Sequence, residues 1–212
     1  MLAWRTMFEE LFRRRGIEPA YTDADYFMHL DGKRRYDGVD SVLRSRGIEL
    51  PWGESDDHPD ADTVSGIGNR KNAVFSQLLD LDPIEPYPGS VRVLRMLQQQ
   101  GTPVAVVSSS KNARAVLASA GLAEDFRVIV DGLVAEQERL PSKPAPDMFL
   151  EGARRLGVAP SDTVAIEDAV SGVRSAAAAG CGLVIGIDRG TGEEPLRAAG
   201  AHAVVEDLAE LF

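Results

Sequence analysis

The sequence predicts an α/β protein in two parts: a small all-helical domain over residues 1–82 and a core over residues 83–212 in which helices cover a parallel sheet. Three observations predict it. Before about Leu79 the apolar residues recur at helical spacing, and no alternating strand pattern occurs. Between Asp82 and Gly89 the prolines Pro83, Pro86 and Pro88 read as a hinge-like linker that would permit the two parts to open and close. Beyond it, short apolar runs alternate with helical segments, as in a parallel sheet covered on both faces. A chain of 212 residues is long enough to bury a full core. Its formal net charge of −10 argues against a nucleic-acid partner, which would need a basic face. A small anionic substrate needs only a few local cations and stays open. No apolar run nears the roughly 20 residues of a membrane helix, and Met1 to Leu11 has charges interleaved, unlike a signal peptide. A cytoplasmic monomer is expected, with the lone Cys181 as a small buried filler.

In the first part, Leu2, Trp4, Met7, Phe8, Leu11 and Phe12 form an apolar stripe that ends at Arg13-Arg14-Arg15-Gly16, basic residues before a C-cap glycine. Asp23 and Asp25 start a second helix with Tyr26, Phe27 and Leu30. The polar run Asp31 to Gly38 reads as a turn before a helix at Val39 to Leu43. Pro51 to Asp62 reads as an acidic surface loop, and Asn69-Arg70-Lys71-Asn72 as the opening of a helix through Leu79. In the second part the expected order is a helix at Ser90 to Gln99, a strand at Pro103 to Val107, a helix at Asn112 to Ala120 and a strand at Val128 to Val130. A helix capped by Asp147 follows, then a buried strand at Thr163 to Ile166, a helix at Val173 to Ala179 and a strand at Leu183 to Ile187. A helix near Pro195 to Ala199 and a strand at His202 to Val205 close the chain.

The chemistry gathers at strand ends. The strand through Val107 runs into Ser108-Ser109-Ser110-Lys111-Asn112 and a helix, so hydroxyls and backbone N–H groups meet a helix dipole, either as an anion site or as a plain N-cap. Lys143 lies between Ser142 and Pro144 in SKPAPD, where the prolines pin the backbone. The strand through Ile166 ends on Glu167-Asp168, two acids that repel unless a cation is near them. A helix N-cap acid with a solvated neighbour is the plainer reading of that pair. Taken in order, a hydroxyl, a lysine and a Glu-Asp pair suit phosphoryl transfer. Ser108 would hold a phosphate oxygen, Lys143 would neutralise its charge, and Glu167 with Asp168 would hold Mg²⁺. No G-x-S-x-G surrounds the serines, GIGNRK from Gly66 follows no strand, and His29, His58 and His202 share no ligand spacing.

VAVVSSSKN, KPAPD and IEDAVSG, in this order, resemble motifs two, three and four of the haloacid dehalogenase superfamily, and PYPGS fits the segment before its first core helix. The helical part is similar to the cap of the beta-phosphoglucomutase-like subfamily at Ala3-Trp4, at the Lys33 to Arg35 turn and at NRKN from Asn69. The resemblance covers nearly the whole chain. It implies a Rossmann-like core with a helical cap and Mg²⁺-dependent phosphotransfer, as a sugar-phosphate mutase or phosphatase, on small phosphorylated metabolites at the cap–core interface. It makes Ser108 and Lys143 the catalytic pair and Glu167 and Asp168 the metal-side acids. Ser109, Ser110, Lys111 and Asn112 would contact phosphate or substrate, with Arg35, Lys71 and Asn72 as cap contacts.

One departure matters. The superfamily's first motif, a strand ending in DxDGVxxDT, supplies the aspartate nucleophile and the aspartate acid/base, and it belongs ahead of Ala3-Trp4. Asp31-Gly32 follows helical sequence and does not replace it. The expectation is therefore that the native chain starts some tens of residues earlier. The present one should turn over almost nothing and should be unstable, because that strand lies mid-sheet. Ser142, where the superfamily commonly has glycine, is a smaller departure. The alternative is a non-catalytic relative that binds a phosphorylated ligand or a partner protein. A true dehalogenase is a weaker reading, since that chemistry does not need the Mg²⁺ acids.

Overall fold

The structure, a computed structural model, describes residues 1–82 and 84–211. The chain divides into two compact units, Met1–Pro83 and Ile84–Phe212. Pro83 of the expected linker lies outside the described residues.

Every regular element among the described residues of the first unit is a helix. Helix α1 (Leu2–Arg15) ends where Gly16 turns left-handed at φ 61°, as its glycine and preceding arginines predict. It buries Met7, Phe8, Leu11 and Phe12 against Val39, Val42 and Leu43 of α3 (Arg35–Arg44) and Val64 and Ile67 of α4 (Val64–Leu81). Helix α2 (Asp23–Asp25) runs into a π-helical turn at Tyr26–Leu30. Asp25 is buried and pairs with buried Arg46, whose second guanidinium nitrogen donates to Asp25 Oδ2 at 2.7 Å.

Two boundaries differ from expectation, one through a close-packed glycine and the other through a threonine cap. Helix α3 starts at Arg35, inside the expected polar turn. A Cβ on its Gly38 would come within 2.9 Å of Leu30 Cδ2, so the position needs a glycine even though it is helical. Helix α4 starts at Val64, five residues before Asn69, because the Thr63 hydroxyl caps it by accepting from Gly66 N–H at 2.9 Å. Gly68 then lies under the Tyr36 ring, where a Cβ would sit 2.7 Å from Cδ1. Asn69 to Asn72 are therefore mid-helix.

The second unit follows the expected alternation: α5 (Pro88–Gln99), β1 (Ala105–Val107), α6 (Ala113–Ser119), β2 (Val128–Val130), α7 (Gly132–Gln137), α8 (Asp147–Leu156), β3 (Val164–Glu167), α9 (Val170–Ala178), β4 (Leu183–Ile187), α10 (Glu193–Ala198) and β5 (Ala203–Val205). Pro88 opens α5, where a missing N–H costs nothing. Helix α7 was not foreseen, and Pro146, not Asp147, occupies the N-cap position of α8.

All pairings are parallel, but the strands form two sheets, β1-β2 and β3-β4-β5. Among the described residues, β1 and β3 each pair on one side only. Ala165, Val184 and Leu196 pack with Val173 and Ala176 of α9 on one face of the larger sheet. On the other face Ile185 and Ile187 meet Val93 of α5 and Leu208. That cover stops short of β3, where Val164 and Ile166 are 57% and 41% exposed. The expected buried strand is thus buried on one face only.

Candidate active site

Parallel strands deliver their last residues to the same end of a sheet, which is why open α/β sheets bind ligands there. Two of the expected residues, Lys143 and Glu167, meet at that end in the second unit. Lys143 lies in the loop before α8, where its peptide bond to Pro144 is cis, and its side chain is 5% exposed. The ammonium donates to the Val107 carbonyl, the last residue of β1, at 3.2 Å, and it pairs with the Glu167 carboxylate at the end of β3. Its remaining side lies 5.1 Å from the Phe149 ring centroid. One lysine therefore bridges the ends of the two strands that do not pair with each other.

Burial pushes the Glu167 carboxyl above its ordinary range, against the pull of the Lys143 ammonium, and the neighbouring Asp168 charge adds to the push. Helix α9 is shaped to accept that carboxylate. A Cβ on Gly172 would collide with it, so only glycine leaves the room. Gly172→Ala should therefore lower stability by about 1–3 kcal/mol, the usual cost of overpacking. Thermal melting measures this, and an unchanged midpoint would show that Glu167 moves aside freely. The Ser175 hydroxyl, fully buried, donates to the Ala145 carbonyl at 2.5 Å and ties α9 to the loop that carries Lys143.

Beside Lys143 the loop after β1 is well ordered by its own hydroxyls. Ser108 N–H donates to Val130 O at 2.9 Å and extends the ladder by one residue. Ser108 Oγ accepts from Ser110 N–H at 3.2 Å, and Ser110 Oγ accepts from Asn112 N–H at 3.1 Å. Lys111 turns to Glu136 of α7, with both oxygens at 2.8 Å, so a phosphate would have to compete with that carboxylate for it.

Asp131 was not picked out from the sequence. It follows β2, is fully buried, and accepts from Leu133 and Val134 N–H at 3.1 and 2.9 Å and from Arg114 Nε at 3.0 Å. It caps α7, and beside it Gly132 lets the Ser109–Lys111 loop approach, since a Cβ there would sit 2.7 Å from Ser109 O. The signal was present as VIVDG, an apolar strand that stops at an N-cap acid.

Asp168 is exposed, and its carbonyl accepts from the Thr191 hydroxyl at 3.3 Å. The 188–192 loop beside it is tightened by Asp188, whose carboxyl is held below its ordinary range by N–H groups of Gly192 and Gly190 at 3.0 and 2.9 Å. Among the described residues no three metal-ligating side chains cluster. The donor set still fits Mg²⁺, which takes one or two carboxylates and completes its shell with water and phosphate oxygens. Asp168 faces solvent and would be the protein ligand. Glu167 is the second carboxylate of the set, with its Oε1 already paired to Lys143.

In the first unit, Arg35, Lys71 and Asn72 also come together. Arg35 donates to Asn72 Oδ1 at 2.9 Å and to Asn69 Oδ1 at 3.4 Å, and Tyr36 OH donates to Asn69 Oδ1 at 2.9 Å. The Lys71 ammonium lies 5.0 Å from the Trp4 ring centroid and 4.5 Å from that of Phe75.

A family model described as a haloacid dehalogenase-like hydrolase matches residues 4–180. The chain is 44% identical over 220 residues to a beta-phosphoglucomutase of Mycobacterium bovis, which covers 99% of this chain and 84% of that protein. It is 30% identical over 211 residues to the beta-phosphoglucomutase of Bacillus subtilis, covering 99% and 83%. A crystal structure of beta-phosphoglucomutase from Clostridium difficile shares the fold with a TM-score of 0.80 at 24% identity, over 99% of this chain and 86% of that one.

Proposed function

The chain belongs to the haloacid dehalogenase-like hydrolases, and on that premise we propose that it is a Mg²⁺-dependent phosphotransferase or phosphatase for small sugar phosphates, most like beta-phosphoglucomutase. The observation that carries the reading is the Lys143 ammonium, fixed between the ends of β1 and β3 with Ser108 and Asp168 as the next residues on those chains. A phosphate there would exchange the Val107 carbonyl and part of the Glu167 carboxylate for its own oxygens on Lys143. The Ser108 hydroxyl would donate to a second oxygen, and Ser109, Ser110 and Asn112 would contact the phosphate from the loop after β1. Bound Mg²⁺ at Asp168 would supply further neutralisation of the phosphoryl oxygens. Arg35, Lys71 and Asn72 are the candidate contacts to substrate from the helical unit.

Superfamily chemistry needs an aspartate nucleophile beside this lysine. We propose that it arrives on a strand that seats between β1 and β3. Among the described residues both strands leave one edge unpaired, and Lys143 already spans their ends.

Mutase and phosphatase action differ in whether water reaches the phosphorylated enzyme. With the strand present, a mutase should convert β-glucose 1-phosphate only when a glucose bisphosphate activator is added, whereas a phosphatase should release inorganic phosphate without it. Activity on neither, with strand and Mg²⁺ both bound, would overturn the sugar-phosphate reading.

A further inference from the structure

Ser41 of α3 joins a cluster of side chains that the phosphate and metal chemistry does not use. His29 reaches it from the π-helical turn, with Nδ1 2.9 Å from the Ser41 Oγ. The Lys33 ammonium donates to the same Oγ at 3.2 Å and to the Met28 carbonyl at 3.4 Å. Gly38, one turn before Ser41, lets α3 come this close, since a Cβ there would lie 3.5 Å from the His29 carbonyl oxygen. An ammonium can only donate. The Ser41 oxygen therefore accepts from Lys33, and its own proton points to the acceptor beside it, His29 Nδ1. That direction requires a neutral ring. Burial and the Lys33 charge lower the His29 pKa from its ordinary 6.5, Asp25 of α2 opposes them, and Arg46 beyond α3 adds a little. His29, Lys33 and Ser41 are all half-buried, and Met28 beside them is 62% exposed, so a small molecule can reach the cluster. Ser45, at the end of the same helix, makes the contrast. It too receives a cation, the Arg46 guanidinium at 2.7 Å, but it donates to the Val42 carbonyl at 2.6 Å, which is no base.

We propose that Ser41 is an activated nucleophile that takes acyl groups from small carboxylic esters, with His29 as its general base and Lys33 as the cation that meets the oxyanion. The Ser41 Oγ adds to the carbonyl carbon as its proton passes to His29 Nδ1. The carbonyl π pair goes to oxygen, whose negative charge the Lys33 ammonium neutralises. When the tetrahedral intermediate collapses, the bond to the alcohol oxygen breaks and the alcohol leaves with the proton from His29. The product is an ester of Ser41, and water deprotonated by the same ring hydrolyses it, so no oxidant or reductant is needed. The site does not rest on the sugar-phosphate reading, because it lies in the helical unit and shares no residue with the phosphate and metal assignments.

The probe is p-nitrophenyl acetate, added to the intact chain, quenched with acid at early times and mapped by peptide mass spectrometry. Ser41 should acetylate at least about 100-fold faster than Ser45, the lower end of what a positioned base contributes. Ser41→Ala should remove that acetyl peptide and the burst of p-nitrophenol that accompanies it. His29→Gln should slow acetylation of Ser41 at least about 30-fold, within the range lost with a general base. Lys33→Met should slow it about tenfold while Lys33→Arg keeps most of the rate, as expected of a charge that meets an oxyanion. The pH profile gives a readout that a merely structural histidine would not move. The Ser41 rate should stay level from pH 8 down to pH 6.5 and fall below it as the ring takes a proton. Acetylation of Ser41 no faster than of Ser45 in the unaltered chain would overturn the proposal. A rate that simply tracks hydroxide across this range would overturn His29 as the base, and a Lys33→Met chain at the parental rate would overturn the role of Lys33.

Discussion

Turnover of a sugar phosphate should stay at background for the 212-residue chain and should appear when a strand ending in two aspartates is fused ahead of Met1. The expected gain is at least about 10⁴-fold, the scale on which covalent catalysis depends on its nucleophile. The seat for the strand is physical. Among the described residues, the N–H and C=O groups on one edge of both β1 and β3 have no ladder partner, and Val164 and Ile166 stand exposed on the face that α5 covers at β4. Pairing on both edges would satisfy those groups, so the fused chain should also melt at higher temperature and aggregate less. Asp168→Asn in the fused chain should return Mg²⁺-dependent turnover to background. Two results would sink the idea: full turnover by the 212-residue chain alone, or a fused strand that raises the melting point yet leaves activity at background.

Replacing Lys143 by methionine should cost about 3–5 kcal/mol at pH 7, the usual result of stranding a buried charge. The partner it strands is Glu167, whose side chain is 9% exposed and whose carboxyl burial already raises. A carboxyl with a raised folded pKa is most comfortable below its unfolded value, and stability falls as pH rises through the folded one. Without the ammonium that pKa rises further, so the deficit should shrink as pH drops through the raised folded value and be mostly gone near the ordinary glutamate value of 4.5. Lys143→Met with Glu167→Leu should recover most of the loss at pH 7, because an apolar pair replaces a buried ion pair at little cost. Urea melts of the single and double variants in chelator at pH 7 and pH 4.5 measure both effects. A single variant within about 1 kcal/mol of the parent at pH 7 would mean that water reaches Glu167.

Much of the helical unit was legible because its cues are local. The stripe of α1, its arginines and Gly16 lie within one short stretch, and the helix ends where they say. What failed there were glycines. Gly38 looks like a turn residue in one dimension and turns out to be the small residue that lets Leu30 approach, as Gly68 does for the Tyr36 ring. The same holds for Gly172, whose empty Cβ position makes the space for a carboxylate five residues earlier.

By itself the sequence determined the α/β class and the order of all five strands. These follow from periodicity. Only the tertiary structure decided that the strands part into two sheets, that Lys143 spans the parting, and that Glu136 claims Lys111. It alone brought Trp4 of α1 and Phe75 of α4 around Lys71. The physical reason is the same in each case. Strand pairing, desolvation and ion pairing depend on distances between residues far apart in the chain, and only folding sets those distances.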